Sequence, residues 1–269
     1  MQRLTHQAVA YYQFDALRNL QHGIFTRLGG VSEGQWASLN LSRSTGDAAE
    51  PVSENRRRSF DALGLKAEQS VTSWLVHGNT VRVVSHEDRG EDLVHADAMV
   101  TQARGLALTL RFADCVPVMF HDPVKGAIGI AHAGWKGIVN GVLPATVRTM
   151  QHAFGSRPPD ILAGVGPCIG PDKFEVGDDV AAQIQAVVGT NIVRRQGDSH
   201  PVTRSPSQLV SLSSKPYVDL WKAAESQLND AGVKHVEVAG ICTASNTREW
   251  FSHRAEQGKT GRFGAVIVL

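Results

Sequence analysis

Between residues 70 and 132 five short β-rich runs follow one another: SVTSWLV (70–76), VRVVS (81–85), LALTLRF (106–112), VPVMFH (116–121) and GAIGIAH (126–132). Most gaps between them are too short for the dozen or so residues that a helical crossover needs, so antiparallel or mixed pairing is expected rather than a doubly wound parallel sheet. Three helices are expected among the strands. The first covers 51–63, with Pro51 in its first turn, Val52, Arg56, Phe60 and Leu63 on one face, and Gly64 at its end. A second spans 135–153, split or kinked at Pro144. The third spans 214–230, with Tyr217, Leu220, Trp221, Ala224 and Leu228 as its apolar stripe. Further strands are expected at 160–165, 235–240 and 263–269, and the polar stretch 194–207 reads as a surface loop. The pattern describes a mixed α/β fold of α+β type across one domain, 1–269.

Several function classes fall away. Lys plus Arg number 27 against 26 Asp plus Glu, which lacks the basic excess of a nucleic-acid binder. No apolar run approaches the roughly 18 residues of a membrane span, and the first residues lack the apolar core of a secretory signal. Three cysteines, Cys115, Cys168 and Cys242, do not resemble a secreted disulfide framework, so a cytoplasmic protein is expected. The run GVGPCIG (164–170) misplaces the third glycine of a dinucleotide fingerprint, and GKT (258–260) has His253 where a phosphate loop needs glycine.

Of eleven histidines, His6, His86, His95, His152, His200 and His235 lie in polar or turn contexts and read as solvated. His77, Cys115 and His132 differ, because each stands at the end of an apolar run, where a rigid scaffold can aim side chains at one cleft. Two imidazoles and a thiolate suit zinc or copper and leave a coordination position open for water or substrate. Residue types and spacing leave two other readings open. Cys115 and His132 can form a nucleophile–base pair, or all three can be satisfied structural residues.

A longer set of motifs narrows the choice: HGIFTRLGGVSEGQWASLNLS (22–42), ENRR (54–57), VHG (76–78), ADAMVT (96–101), ADCVPVMFHDP (113–123), AHAGWKGIVNGV (131–142), GPCIGPDKFEVGDDV (166–180) and CTASNTREWFSHRAEQGKTGR (242–262). With these motifs in this order, the chain resembles the bacterial laccase-domain family over roughly residues 20–269. That family is also called the multicopper polyphenol oxidase or peptidoglycan editing factor family. The resemblance implies a β-sandwich-like core of mixed sheets flanked by helices. It implies a metal, zinc with copper as the alternative, held by His77, Cys115 and His132. The activities it implies are phosphorolysis of adenosine, inosine, guanosine and methylthioadenosine, and hydrolytic deamination of adenosine. Purine nucleosides and phosphate are then the expected partners. Lys136 stands where arginine is common in the family, and His253 where tyrosine is common.

Phosphorolysis needs fixed positive charge for phosphate and a platform for the base. Lys136, beside a helix start, and Trp135 are candidates for these two tasks. Arg27, Arg56, Arg254 and Arg262 are further candidates for phosphate, and Asn40 is a polar candidate at the cleft. Asp114 either orients a ligand histidine, moves a proton or makes a structural hydrogen bond; Cys168 and Cys242 read as structural. Two competing functions follow from the family's other names and the Cys–His pair: a copper polyphenol oxidase, and a Cys–His hydrolase or amidase acting on peptidoglycan precursors.

Overall fold

The structure is a computed structural model that describes residues 1–195 and 215–269. Seven strands form one sheet: β1 (Gln2–His6), β2 (Val9–Gln13), β3 (Gln21–Phe25), β4 (Ser70–Trp74), β6 (Gly90–His95), β8 (Ala107–Phe112) and β15 (Phe263–Val268), in the order β1-β2-β3-β15-β8-β4-β6. Six form a second, in the order β14-β11-β9-β10-β7-β5, from β5 (Val81–Val83), β7 (Ala98–Thr101), β9 (Val116–Asp122), β10 (Ala127–Ala133), β11 (Leu162–Val165) and β14 (His235–Val238). A short ribbon pairs β12 (Val193–Arg195) with β13 (Pro216–Val218). Pairing is mixed: β4 runs parallel to both β6 and β8, whereas β9, β10 and β7 are antiparallel.

Period-two alternation distributes these strands among three cores. Leu108, Leu110 and Phe112 of β8 and Ala265 and Ile267 of β15 meet Met99, Met119, Ile128 and Ile130 between the sheets. The opposite face of the second sheet, with Val116, Val118, Phe120, Ala131 and Ala133, is covered by four helices: α2 (Trp135–Asn140), α3 (Val142–Phe154), α4 (Asp178–Val188) and α5 (Leu220–Asp230). On the outer face of the first sheet, Ala107, Val266 and Val268 pack with Phe60 of α1 (Ala49–Asp61) and with Leu63. The fold is thus a mixed α/β sandwich of two sheets flanked by helices. β9 and β10 are buried on both faces and read as continuous apolar runs for that reason. Their hairpin is tied by Asp122, whose Oδ1 accepts from the amides of Val124 and Lys125. Among the described residues no helix is long and apolar enough to cross a membrane.

Several sequence expectations shift. The helix expected at 135–153 is broken at Gly141, whose φ of 74° separates α2 from α3, and not at Pro144. Pro144 lies in the first turn of α3, where a missing N–H costs nothing. The helix expected from 214 starts at Leu220, capped by the Asp219 carboxylate accepting from Lys222 N. Tyr217 belongs instead to β13 and donates to Glu175. Arg194 and Arg195 of the expected loop lie in β12; the rest of it, 196–207 with His200, lies outside the described residues. Strands β1–β3, β6 and β7 and helix α4 were not anticipated.

One buried histidine makes stability depend on pH. His22 is 0% exposed; its Nε2 accepts from Phe14 N at 2.8 Å while Nδ1 faces Leu20 O at 3.0 Å. Only a neutral ring with its proton on Nδ1 satisfies both contacts. Burial accordingly holds the pKa below the ordinary histidine value, and the same holds at His121. The unfolded chain binds these protons below about pH 6.5, so the stability present above that pH is lost on acidification. The Tm is expected to fall as pH drops from about 7.5 to about 5; a flat or rising profile would refute the buried neutral rings.

Candidate active site

Two turns and the end of β10 bring the site residues together. After β4 the chain turns at His77, which takes a φ of 56°. This turn is held by Asp97, fully buried just before β7: Oδ1 accepts from His77 N at 2.8 Å and Oδ2 from Gly78 N at 2.6 Å. The backbone carbonyl of Asp97 accepts from His132 N at 2.7 Å, so one residue positions both histidines. Between β8 and β9 the chain reverses at Asp114, with a φ of 82°. Its carboxylate accepts from Thr243 Oγ1 at 2.6 Å and from Arg254 N at 2.7 Å. Of the roles considered for Asp114, these contacts are the structural one. Left-handed backbone at two non-glycine residues beside one cleft is strain of the kind that collects at functional sites.

His132 ends β10 on the face shared with Ile128 and Ile130. Its ring stacks on Phe112 at 5.3 Å and meets the His77 ring edge-on at 5.1 Å. His132 is 3% exposed, and its Nδ1 has no hydrogen-bond partner; the nearest carboxylate oxygen, Asp97 Oδ1, is 3.9 Å away. Burial, and then the neighbouring His77, push His132 down to about 3. Burial, and then Asp114, push the Cys115 thiol up to about 12. The pair therefore rests as neutral imidazole and protonated thiol, which is not an activated nucleophile.

Gly134 shows how closely these groups approach. A Cβ built there would lie 2.9 Å from Cys115 Sγ and 3.8 Å from His132 Cε1. Gly134→Ala is expected to displace the thiol and lower stability by about 1–3 kcal/mol. Urea unfolding together with thiol titration checks this; an unchanged midpoint with unchanged thiol reactivity would show that the approach is slack.

These residues share a cavity of about 680 Å³, within the range of small-molecule sites. His77, Cys115 and His132 form part of its wall, and His253 also lines it. Among the described residues five arginines line it, Arg43, Arg56, Arg111, Arg254 and Arg262, against a single carboxylate, Asp114. Trp74, Trp135, Phe174 and Leu220 supply apolar surface. Arg254 is fixed by Glu175 O at 2.8 Å and lies over the Phe174 ring. Arg262 is held by the carbonyls of Thr260 and Gly261.

Three expected site residues, Asn40, Lys136 and Arg27, are not in this wall. Asn40 is 0% exposed: its amide donates to Ser42 O, Thr45 Oγ1 and Asp47 Oδ2, and its Oδ1 accepts from Ser42 N and Arg262 N. It braces the rim and Arg262 from behind. Lys136 is exposed, with its Nζ 5.7 Å from the Trp135 ring centroid, and does not line the cavity. Arg27 is engaged by Glu256, Ala37 O and Thr247 O. Cys168 is fully buried, and Cys242 Sγ accepts from Gly170 N. Asp97 and Arg111 had no role assigned from the sequence. A lone Asp within the apolar ADAMV and an Arg closing LTLRF were the available signals.

The donor chemistry at His77, Cys115 and His132 fits a borderline metal ion, as do the orphaned Nδ1 and the bare Gly134 Cα. Among the described residues no group of three or more His, Cys, Asp and Glu side chains stands at metal-binding geometry.

The family model described as "Multi-copper polyphenol oxidoreductase laccase" matches residues 21–269. The chain belongs to this family. Within this laccase-type family, a protein of Deinococcus radiodurans named purine nucleoside phosphorylase is 40% identical over 249 residues, 92% of this chain and 88% of its own. Purine nucleoside phosphorylase YfiH of Escherichia coli is 33% identical, with 91% of each chain covered. The crystal structure of YlmD from Geobacillus stearothermophilus superposes with a TM-score of 0.86 at 31% identity, covering 98% of this chain and 97% of that one.

Proposed function

We propose that this laccase-type protein is a purine nucleoside phosphorylase working in the 680 Å³ cavity. The observation that carries the reading is the joining, in one cavity, of a five-arginine wall to a cluster of imidazoles and a thiol, with aromatic surface beside them. Relatives named purine nucleoside phosphorylase along nearly the whole chain support it.

In this reading the arginines hold a phosphate dianion, and Trp135, Trp74 or Phe174 packs against the purine. An oxygen of phosphate forms a bond to C1′ of the ribose as the C1′–N9 bond breaks. The bonding pair leaves with the purine, which takes a proton, and ribose 1-phosphate remains. The arginines concentrate and orient the anion at a site whose chain, at net charge +1, supplies little field of its own. Adenosine, inosine, guanosine and methylthioadenosine are the proposed substrates. Deamination of adenosine is the second proposed reaction: water adds at C6 and ammonia departs, leaving inosine. A zinc ion, or copper in its place, would be held by His77, Cys115 and His132 and would supply Lewis-acid polarisation beside the substrate.

Two imidazoles, His77 and His132, line the wall with Cys115, one more than a Cys–His pair requires, which favours this reading over a Cys–His hydrolase. A multicopper oxidase needs more imidazoles than the three that line the cavity among the described residues. The test is to incubate protein of known metal content with adenosine, with and without phosphate. Adenine and ribose 1-phosphate are expected only with phosphate, and inosine in both cases. Absence of adenine and ribose 1-phosphate when phosphate is present would refute the phosphorylase reading.

A further inference from the structure

A second cavity, of about 670 Å³, lies between α1 and the outer face of the first sheet. Arg43, Arg56 and Arg111 line this cavity as well as the first, so the two share one arginine wall. On this face the alternation that elsewhere buries Ala107 and Val266 places Thr72 and Thr109 beside each other in register, followed by Arg111. Polar side chains thus occupy positions where a sheet covered by a helix normally carries apolar ones. Departures of this kind are expected at functional sites.

Thr72 is the sharpest of them. It is 5% exposed, lines the second cavity, and its hydroxyl is buried with no hydrogen-bond partner. A buried hydroxyl left unpaired is costly, and a turn of the Thr72 side chain toward the cavity would let a ligand oxygen satisfy it. The charge around it is also one-sided. Among the described residues six basic side chains line the cavity, with Arg57, Lys66 and Arg89 added to the shared three, against Asp61 and Glu68. Asp61 is paired with Arg57, which also pairs with Glu54, so five basic side chains face Glu68 once that pair is set aside.

We propose that this second cavity is a subsite for a phosphate-class oxyanion, separate from the position at which phosphate reacts and joined to it through the shared arginines. Two sources supply that chemistry: free inorganic phosphate, and a phosphoryl arm attached to a purine nucleoside seated in the first cavity. The subsite rests on geometry that holds whether or not the phosphorylase reading stands.

Thr72 and Lys66 line only the second cavity, so they separate it from the first. The experiment is calorimetric titration of the full chain with inorganic phosphate, adenosine and adenosine 5′-monophosphate. It compares the wild type with Thr72→Val, which removes only the hydroxyl, and with Lys66→Glu, a change at an exposed position. Tm values confirm that both variants fold. Free phosphate as the source predicts a phosphate-binding event weakened about tenfold or more in each variant. An attached arm predicts that the monophosphate binds more tightly than adenosine in the wild type, and that the variants erase this gain. Unchanged phosphate and monophosphate binding in both variants would overturn the proposal. A loss of oxyanion binding in variants of a protein that makes no ribose 1-phosphate would refute the phosphorylase reading and leave the subsite standing.

Discussion

His132→Ala is expected to lower kcat/KM for inosine phosphorolysis by about two orders of magnitude or more. The ring occupies the meeting point of the site: it stacks on Phe112, contacts His77 and lies beside the bare Cα of Gly134 that also faces Cys115. Its backbone amide is held by Asp97 O whatever the side chain, so the strand end keeps its course in the variant. The buried Nδ1 has no protein partner, so removing the ring forfeits no side-chain hydrogen bond of the free protein. The cavity left beside Phe112 and His77 lowers the Tm, so turnover is compared below the melting range of the variant, where its loss is expected to persist. Steady-state kinetics and a thermal melt on one preparation check this; a variant within about threefold of wild type would remove His132 from the chemistry.

Asp97→Ala is expected to damage folding and activity together. The carboxylate is fully buried and accepts from two backbone amides, at His77 and Gly78, which are left without acceptors once it is gone. Two part-buried amides losing a charged partner cost about 2–4 kcal/mol. The His77 turn, already at a φ of 56°, then loses both carboxylate bonds and keeps only flanking ones such as Asn79 Nδ2 to Asn140 O, and activity should fall about 10–100-fold. Asp97→Asn keeps one carbonyl acceptor but sets an NH₂ against the other amide, so it should recover part of the stability. Urea unfolding with kcat/KM measured in parallel decides the matter. An alanine variant destabilised by less than about 1 kcal/mol would mean that the turn holds itself.

The parts of this fold legible in the sequence were those in which one physical signal dominates. The runs from 106 to 132 read as strands because β9 and β10 are buried on both faces and β8 alternates cleanly. β1 to β3 escaped notice because QRLTH, VAYYQ and QHGIF mix polar and apolar residues without a clean alternation. Pro144 is a poor guide to the helix break, because a proline in a first turn is harmless while Gly141 supplies the left-handed residue. At the site, His77, Cys115 and His132 stood out because each follows an apolar run, and they line one cavity. The arginine wall was only partly visible. Its members come from positions 43, 56, 111, 254 and 262, and only the packing of α1, β8 and the loops brings them together. Lys136 was chosen for its helix start, whereas the helix presents it to solvent against Trp135.

The most direct measurement follows phosphorus from inosine and inorganic phosphate by ³¹P NMR, on wild type and His132→Ala purified side by side. Phosphorolysis in this cavity predicts ribose 1-phosphate formed one-for-one with hypoxanthine by the wild type and almost none by the variant. No ribose 1-phosphate from the wild type, or equal amounts from both proteins, would contradict it.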